Sequence, residues 1–420
     1  MMKKNTDVLI IGAGLSGLMA AAKAADSGKK VLLVAKGMGA LGLSSGCIDL
    51  WGYSLDHPEE ICQDPVQEII KMVAAQKDHP YAKVWDVLEE SLSFFQQICS
   101  QNGLAYEVAE KGNWLLPTAL GTVRPTYLAP AGMAARELPR AKNILVMGFQ
   151  GLKDFYPEVL TTNLKNNMNL PADCQLTTLM LDLGKIELSP NNLAYLLEKD
   201  EVLQRLVSQI KPHLAEEMVI LMPPVLGERG HTKVLLNLVE SLGVQVYEVT
   251  NIPPSLPGQR LQQALLHHLK KQSVEIILGC TVIGTTVLGE HCTEVLAEGS
   301  GKNLTIAAKS IILATGSFLG GGMEAQPGKV IETVFHLPIK VLDEKWSAKE
   351  FLSLEGHPFS KFGIEVNNHL QPVNSQGEVV IKNIRVIGAN LAGANYPIEK
   401  CGNGVALATG YKAGKLVGEV

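Results

Sequence analysis

The sequence predicts an α/β fold: a Rossmann-like, three-layer ββα domain interrupted by a second domain of α/β or α+β type. Three observations carry that reading. An apolar strand runs straight into a glycine turn, Gly12-Ala13-Gly14-Leu15-Ser16-Gly17. A later strand ends in small residues, Ile311-Ile312-Leu313-Ala314-Thr315-Gly316. A last strand, over 384–388, is followed by Gly402-Asn403-Gly404 and a small-residue helix.

In chain order, residues 6–11 form a buried strand, a small-residue helix continues as far as Gly28, and Val31-Leu32-Leu33-Val34 is a second strand. Strand, glycine turn, helix, strand is the order of a βαβ unit. Residues 56–140 are irregular and partly helical, with the best helix over 84–99. Strand and helix then alternate: strands over 143–148, 218–222 and 244–249, helices over 157–166, 192–211 and 232–241. That alternation reads as a second layered domain. An amphipathic helix spans 258–272, a strand 274–278, and a β-meander runs to 308 ahead of the strand over 310–316; the final helix covers 405–417. The three glycine-bearing motifs must converge on one ligand. Residues 1–55, 255–322 and 376–420 are therefore expected to form one discontinuous domain, with 56–254 inserted and 323–375 a smaller excursion.

Composition narrows the function. The 420 residues are 46% hydrophobic, enough for one large core or two smaller ones. The net charge is −5 and no long basic run occurs, which argues against a nucleic-acid surface. The 40 glycines cluster at 12–17, 37–46, 316–322 and 402–414, a pattern of close backbone approach. No run nears the ~20 apolar residues of a membrane span. The apolar run Val8-Leu9-Ile10-Ile11 stops at Gly12 with no cleavage pattern after it, so a cytosolic chain is expected. Seven cysteines, an odd number without any Cys-x-x-Cys, disfavour a disulfide framework and an iron–sulfur cluster. No metal centre is expected, and electrons leaving a cofactor here must pass to another chain or a small acceptor.

The first glycine motif is read physically. Gly12 permits the tight turn, Gly14 lets backbone approach a phosphate, and Gly17 lets helix and strand pack closely. Leu15 and Ser16 open a helix whose free N–H groups and dipole suit an anion. The acidic residue that should end the second strand and hold an adenosine ribose is missing: Ala35 stands there, followed by Lys36. Three readings compete: a ligand without adenosine, such as FMN; FAD held in another way; or a 2′-phosphate met by Lys36, which the remaining motifs disfavour. FMN is the expectation, with FAD as the alternative. Thr315 and Gly316 resemble the Ala-Thr-Gly strand of two-dinucleotide-binding flavoproteins, and the stretch from Gly388 through Gly402-Asn403-Gly404 resembles their C-terminal strand and helix. Such a helix N-terminus suits the pyrimidine end of an isoalloxazine, where negative charge develops. Ser44, Ser45 and Gly46 sit where such chains pass along the flavin. Cys47 and Cys401 are more simply read as buried structural cysteines.

Beyond these motifs, Ser44-Ser45-Gly46 with Asp49-Leu50, Gly121-Thr122-Val123-Arg124, Pro253-Pro254-Ser255 with Gly258-Gln259-Arg260-Leu261-Gln262, and Gly316-Ser317-Phe318 with Gly321-Gly322 resemble the B-subunit family of the anaerobic glycerol-3-phosphate dehydrogenases. The chain departs from that pattern at 395–399, where a more glycine-rich stretch would be expected. The resemblance implies an FMN-binding subunit of a multisubunit complex in anaerobic respiration and glycerol catabolism. Its partners would be a larger FAD-containing dehydrogenase subunit and an iron–sulfur subunit that holds the complex at the inner membrane face. It implies oxidation of sn-glycerol 3-phosphate to dihydroxyacetone phosphate, with electrons reaching a quinone. Hydride would leave carbon 2 while a base takes the hydroxyl proton. Arg124 and Arg260 are the candidates for the substrate phosphate, and His231 and His336 the conceivable bases. Two other readings stand beside this one: a non-catalytic electron-transfer or scaffold subunit, and a stand-alone flavoenzyme like fumarate reductase or ketosteroid dehydrogenase.

Overall fold

The structure is a computed structural model that describes residues 2–184, 188–299, 301–341 and 345–419. The chain divides into two compact units. The first comprises Met1–Leu41, Asp49–Ile98 and Leu265–Val420; the second comprises Gly42–Ile48 and Cys99–Ala264.

The first unit is built on a seven-stranded sheet. Its strands are β1 (Met2–Ile11), β2 (Val31–Ala35), β3 (Glu275–Leu278), β4 (Cys280–Leu288), β5 (His291–Gly299), β6 (Lys302–Leu313) and β7 (Ile384–Val386). The order is β3-β2-β1-β6-β5-β4, with β7 also on β6. β1 pairs in parallel with β2 on one side and along β6 on the other, from Met2↔Leu304 to Ile11↔Leu313. The far edge of β6 is shared. Its first half pairs antiparallel with β5, and Ile311–Leu313 pair in parallel with β7. The end of the meander and the strand over 310–316 were expected to be separate, yet they are one continuous strand, because β1 holds the whole length in register. Ser300, within the expected meander, lies outside the described residues. Leu9, Ile10 and Leu33 are fully buried, each side chain worth about 1.5–3 kcal/mol of transfer free energy.

Helix α1 (Leu15–Asp26) packs on β1, β2 and β6, and α2 (Gly402–Gly418) packs on α1. They meet along a seam of small residues. A Cβ built on Gly410 would lie 2.3 Å from the Ser16 carbonyl oxygen, and one on Gly414 would lie 2.7 Å from that of Ala20. The spacing Gly410-x-x-x-Gly414-x-x-x-Gly418 keeps one bare face toward α1.

Residues 49–98 belong to this unit, although the expected insertion began at 56. The reason is polar as well as apolar. Lys412 of α2 donates to the Lys83 carbonyl at 2.7 Å and pairs with Asp86 at 2.8 Å, tying helix Pro80–Val84 to α2. The expected excursion is likewise part of this unit, with Ile364 N–H donating to the Asn390 carbonyl at 2.8 Å.

The second unit has its own four-stranded parallel sheet, in the order Gln245–Glu248, Met218–Met222, Asn143–Phe149, Gln175–Leu181. Helices Pro157–Asn167, Asp200–Ile210 and His231–Leu242 pack against it around Leu145, Ile220, Leu221 and Leu238. The long helix expected over 192–211 is broken into Pro190–Leu197 and Asp200–Ile210. The break falls at Lys199, whose backbone is extended at φ −88° and ψ 123°; beside it, Glu198 Oε1 accepts the N–H groups of Glu228, Arg229 and Gly230 at 2.8, 2.9 and 3.0 Å. The carboxylate fixes the loop ahead of helix His231–Leu242.

Candidate functional site

In the first unit the tips of β1, β6 and β7 end side by side. Gly12 N–H donates to the Val34 carbonyl at 2.8 Å, Ala314 N–H to that of Ile11 at 2.8 Å, and Ile387 N–H to that of Leu313 at 3.1 Å. Gly12 has φ +119°, and a Cβ there would sit 2.2 Å from the Ala314 carbonyl oxygen. A Cβ on Gly17 would sit 2.1 Å from the Gly12 carbonyl oxygen. Both positions are closed by the chain itself. Gly14 differs: nothing lies within 4 Å of the Cβ it would carry. It is the N-cap of α1, in extended conformation and without a side-chain cap, and no acidic residue stands in the first turn. The helix therefore presents N–H groups and a positive dipole end beside bare backbone, which fits the pyrophosphate of a dinucleotide.

The neighbouring tips are held by side chains that the sequence analysis did not single out. Asn390, fully buried, accepts the Gly316 N–H at 2.5 Å and donates to Thr315 Oγ1 at 2.9 Å. Gly388 N–H donates to Thr409 Oγ1 at 3.0 Å. A Cβ on Gly388 would meet Ser16 Oγ at 2.5 Å, so Gly388 and Ser16 abut. An asparagine four residues past a strand end carries no motif, whereas Thr409, buried in a glycine-rich helix face, was legible as a packing position. At the start of α2, Gly402 and Asn403 are partly exposed, while Gly404 is buried. A Cβ on Gly404 would lie 2.3 Å from Tyr81 Oη, so this glycine serves packing in its own unit. Leu15 is buried under the same turn and Lys36 is exposed just past β2.

Ser44, Ser45 and Gly46 fall in the second unit. Ser44 Oγ accepts from Gly46 N–H and Ser45 Oγ from Cys47 N–H, both at 3.3 Å, so both hydroxyls shape the local turn. Cys47 is fully buried in a small cluster with Trp114 and Met133. Arg124 lies in the hairpin strand Val123–Thr126, opposite Leu116, and is partly exposed. His336 is exposed at φ +55°, in a turn organised by buried Glu332, which accepts from the N–H groups of Val334, Phe335 and Leu337.

Arg260 requires a correction. Its guanidinium is buried against Glu248, with N–O distances of 2.5 and 3.0 Å, and its Nε donates to the Gly227 carbonyl at 2.8 Å. Glu248 Oε1 also accepts Leu226 N–H at 2.6 Å. His231 Nε2 lies 3.3 Å from Glu248 Oε2, misaligned for a hydrogen bond. Burial would raise the Glu248 carboxyl, but the Arg260 charge and the His231 contact outweigh it and hold it well below the usual carboxylate range. Burial, reinforced by the Arg260 charge, lowers His231. The string around Arg260 thus marks a buried ion pair. Its guanidinium is committed to a carboxylate rather than available to a substrate phosphate, and His231 is sealed within the same cluster.

Comparison with known proteins agrees with the fold and with the bare turn at Gly14. The family model described as FAD binding domain matches residues 7–405. The chain is therefore a flavin-dependent oxidoreductase built on an FAD-binding domain. It is 30% identical over 431 residues to the probable anaerobic glycerol-3-phosphate dehydrogenase B subunit of Halobacterium salinarum, covering 100% of this chain and 99% of that one. It is 28% identical over 424 residues to the corresponding B subunit of Vibrio vulnificus, covering 97% and 95%. This chain belongs to the B-subunit family of the anaerobic glycerol-3-phosphate dehydrogenases. Among solved structures, 3-ketosteroid-delta4-(5alpha)-dehydrogenase from Rhodococcus jostii RHA1 aligns over 100% of this chain and 98% of that one, at 12% identity and a TM-score of 0.47.

The family match overturns the expectation of FMN: the flavin is FAD. Ala35 removes a single contact. A charge-assisted hydrogen bond is worth about 1.5–3 kcal/mol, one contribution among many along a dinucleotide, and backbone groups can serve a ribose as well. Among the described residues no helix is long and apolar enough to cross a membrane, and no disulfide forms.

Proposed function

We propose that this chain is the flavin-bearing subunit of a complex that oxidises sn-glycerol 3-phosphate to dihydroxyacetone phosphate and passes electrons, through partner subunits at the membrane face, to a quinone. Full-length similarity to relatives named as the B subunit of that dehydrogenase carries the reading. Bound FAD supplies a two-electron acceptor for hydride. The residues that would hold it are those of the bare turn and the strand tips: Gly12, Gly14, Leu15, Ser16 and Gly17 with the α1 N–H groups for the pyrophosphate, then Thr315, Gly316 and Gly388, with Gly402 and Asn403 at the α2 N-terminus. Arg124 remains the cation proposed for the substrate phosphate.

One observation favours a second reading, in which a larger partner does the substrate chemistry and this chain transfers electrons. Arg260, the other candidate cation, is committed to Glu248. A single experiment separates the two. FAD-loaded chain is mixed anaerobically with sn-glycerol 3-phosphate, alone and together with its copurifying partners, and the flavin absorbance at about 450 nm is followed. Bleaching of the isolated chain is the expected result for the first reading. Bleaching only in the complex supports the second, and no bleaching in either overturns the substrate assignment.

A further inference from the structure

Within the first unit, three titratable side chains meet at the residue that caps α2. His79 Nε2 lies 3.2 Å from Glu399 Oε2, and Cys401 Sγ donates to the same oxygen at 3.3 Å. Cys401 is the N-cap of α2. His79 and Cys401 are buried, and the Glu399 side chain retains 15% of its exposure.

Three ligand types so close together suggest a metal, but the hydrogen bonding opposes one. His79 Nδ1 accepts the Tyr81 N–H at 3.1 Å. A neutral imidazole whose Nδ1 accepts must carry its proton on Nε2, so the nitrogen facing Glu399 and Cys401 is a donor with no lone pair to offer a cation. The cluster is built to hold protons. Both bonds to Glu399 fall on Oε2, which leaves Oε1 to take a further proton, and the partial exposure of this side chain provides the route from solvent. His79 cannot take a proton at Nδ1 without losing the Tyr81 bond.

The groups facing the cluster are Asp49 from the segment beside Leu50, Tyr81 from helix Pro80–Val84, and Tyr396 from the turn that also carries Glu399. Burial pushes the Cys401 thiol and both tyrosines well above their usual ranges, so these three stay protonated. Tyr81 Oη reaches the Leu50 carbonyl at 2.9 Å, and Gly404 N–H reaches that of Asp49 at 3.0 Å, which joins this network to the first turn of α2.

We propose that His79, Glu399 and Cys401 form a proton-holding cluster coupled to the flavin's redox state, in which Glu399 takes up one solvent proton when the cofactor is reduced. The inference rests on the reading that FAD lies against the start of α2. A flavin held there and reduced by two electrons would add negative charge at the helix end beside Glu399. Protonation of Oε1 removes one like charge, while the His79 and Cys401 donors remain on Oε2. The proton comes from solvent and the electrons from the alcohol substrate or, in the test, from the electrode; reoxidation returns both.

The test is a spectroelectrochemical titration of the FAD-loaded full chain across acid to neutral pH. One proton per two electrons adds about 30 mV per pH unit to the slope of the midpoint potential. Glu399→Gln should lose that increment. Cys401→Ala keeps the carboxylate but removes a donor from Oε2, so the slope should persist with its bend at higher pH. It serves as the readout where Glu399→Gln does not fold. Unchanged slope in Glu399→Gln, or an unmoved bend in Cys401→Ala, overturns the cluster, as does stoichiometric metal in the purified protein. Failure of the wild-type chain to hold FAD instead overturns the cofactor reading beneath it.

Discussion

The bare turn at Gly14 in the first unit and the Glu248–Arg260 pair in the second both carried family-specific or motif-level signals, yet they are opposite kinds of place. At the turn, the chain withholds side chains: Gly14 leaves open space, and α1 begins without a cap or an acidic first turn. At the pair, the chain supplies every partner itself: Arg260 meets Glu248 and Gly227, and Glu248 meets Leu226 as well. An unmet helix end next to bare backbone is available to a ligand, whereas a buried cation with a matched carboxylate is already committed to the fold. A string of identities reports that a residue matters. Only the partners say for what.

The largest expected effect breaks the comparison from the side of the ion pair. Arg260→Ala leaves the Glu248 carboxylate buried without its counter-charge, at a cost of about 3–5 kcal/mol, read as a collapse of thermal or urea stability. Replacing both partners with apolar side chains, Arg260→Met with Glu248→Leu, should recover much of that loss. Wild-type stability in Arg260→Ala, together with a raised KM for the phosphorylated substrate, would restore Arg260 to the binding site.

Two nearby glycines sharpen the other side. Gly12→Ala forces a side chain into the Ala314 carbonyl at positive φ, so it should destabilise the chain itself by about 1–3 kcal/mol from backbone strain alone, with the clash added. Gly14→Val meets no protein atom at its Cβ and should leave folding nearly intact while abolishing FAD binding. Full FAD occupancy in purified Gly14→Val protein would refute the placement of the phosphate.

Acidification acts on the ion pair in a direction that linkage fixes. Glu248 is held below its unfolded range, so its contribution is complete above about pH 4.3 and fades as pH falls below that value. His231 is also lowered, so the unfolded state binds more protons from about pH 6.5 downward, and stability declines from there. Both effects favour the neutral side. The melting temperature should fall between neutral pH and about pH 5, and His231→Gln should remove part of that first decline, the rest coming from His268, which burial lowers as well. A variant with the same pH profile as wild type would mean His231 does not titrate through unfolding.

Much of the fold was legible because periodicity and glycine placement are local. The βαβ start, the alternating strands of the second unit and the C-terminal helix follow from patterns a few residues long. Three features were not. Helix 192–211 breaks at the extended Lys199, beside a Glu198 carboxylate that holds N–H groups 30 residues away, and no local pattern records that pairing. Residues 49–98 join the first unit through Lys412 and Tyr81, side chains unremarkable in sequence. The cofactor expectation failed because it rested on a side chain absent at Ala35, when a dinucleotide is held by many groups, several of them backbone.

The smallest loss of stability is expected of Asn390→Ala, at a residue that had no sequence signal and joins two strand tips. Its Oδ1 accepts the Gly316 N–H and its Nδ2 donates to Thr315 Oγ1. Asn390→Ala strips both bonds and leaves the Gly316 N–H buried, costing about 1–3 kcal/mol. Asn390→Asp separates hydrogen bonding from charge. A carboxylate still accepts from Gly316, and the Thr315 hydroxyl can rotate to donate where it had accepted, so the hydrogen bonds survive with roles exchanged. What changes is charge: a buried carboxylate now stands at the tip of β6, where the flavin is proposed to lie. Burying that charge without a counter-ion costs about 3–5 kcal/mol, and the flavin midpoint potential moves negative, because added negative charge opposes reduction. Equal stability loss in both variants with an unmoved potential would mean that Asn390 braces the strand tips without facing the cofactor.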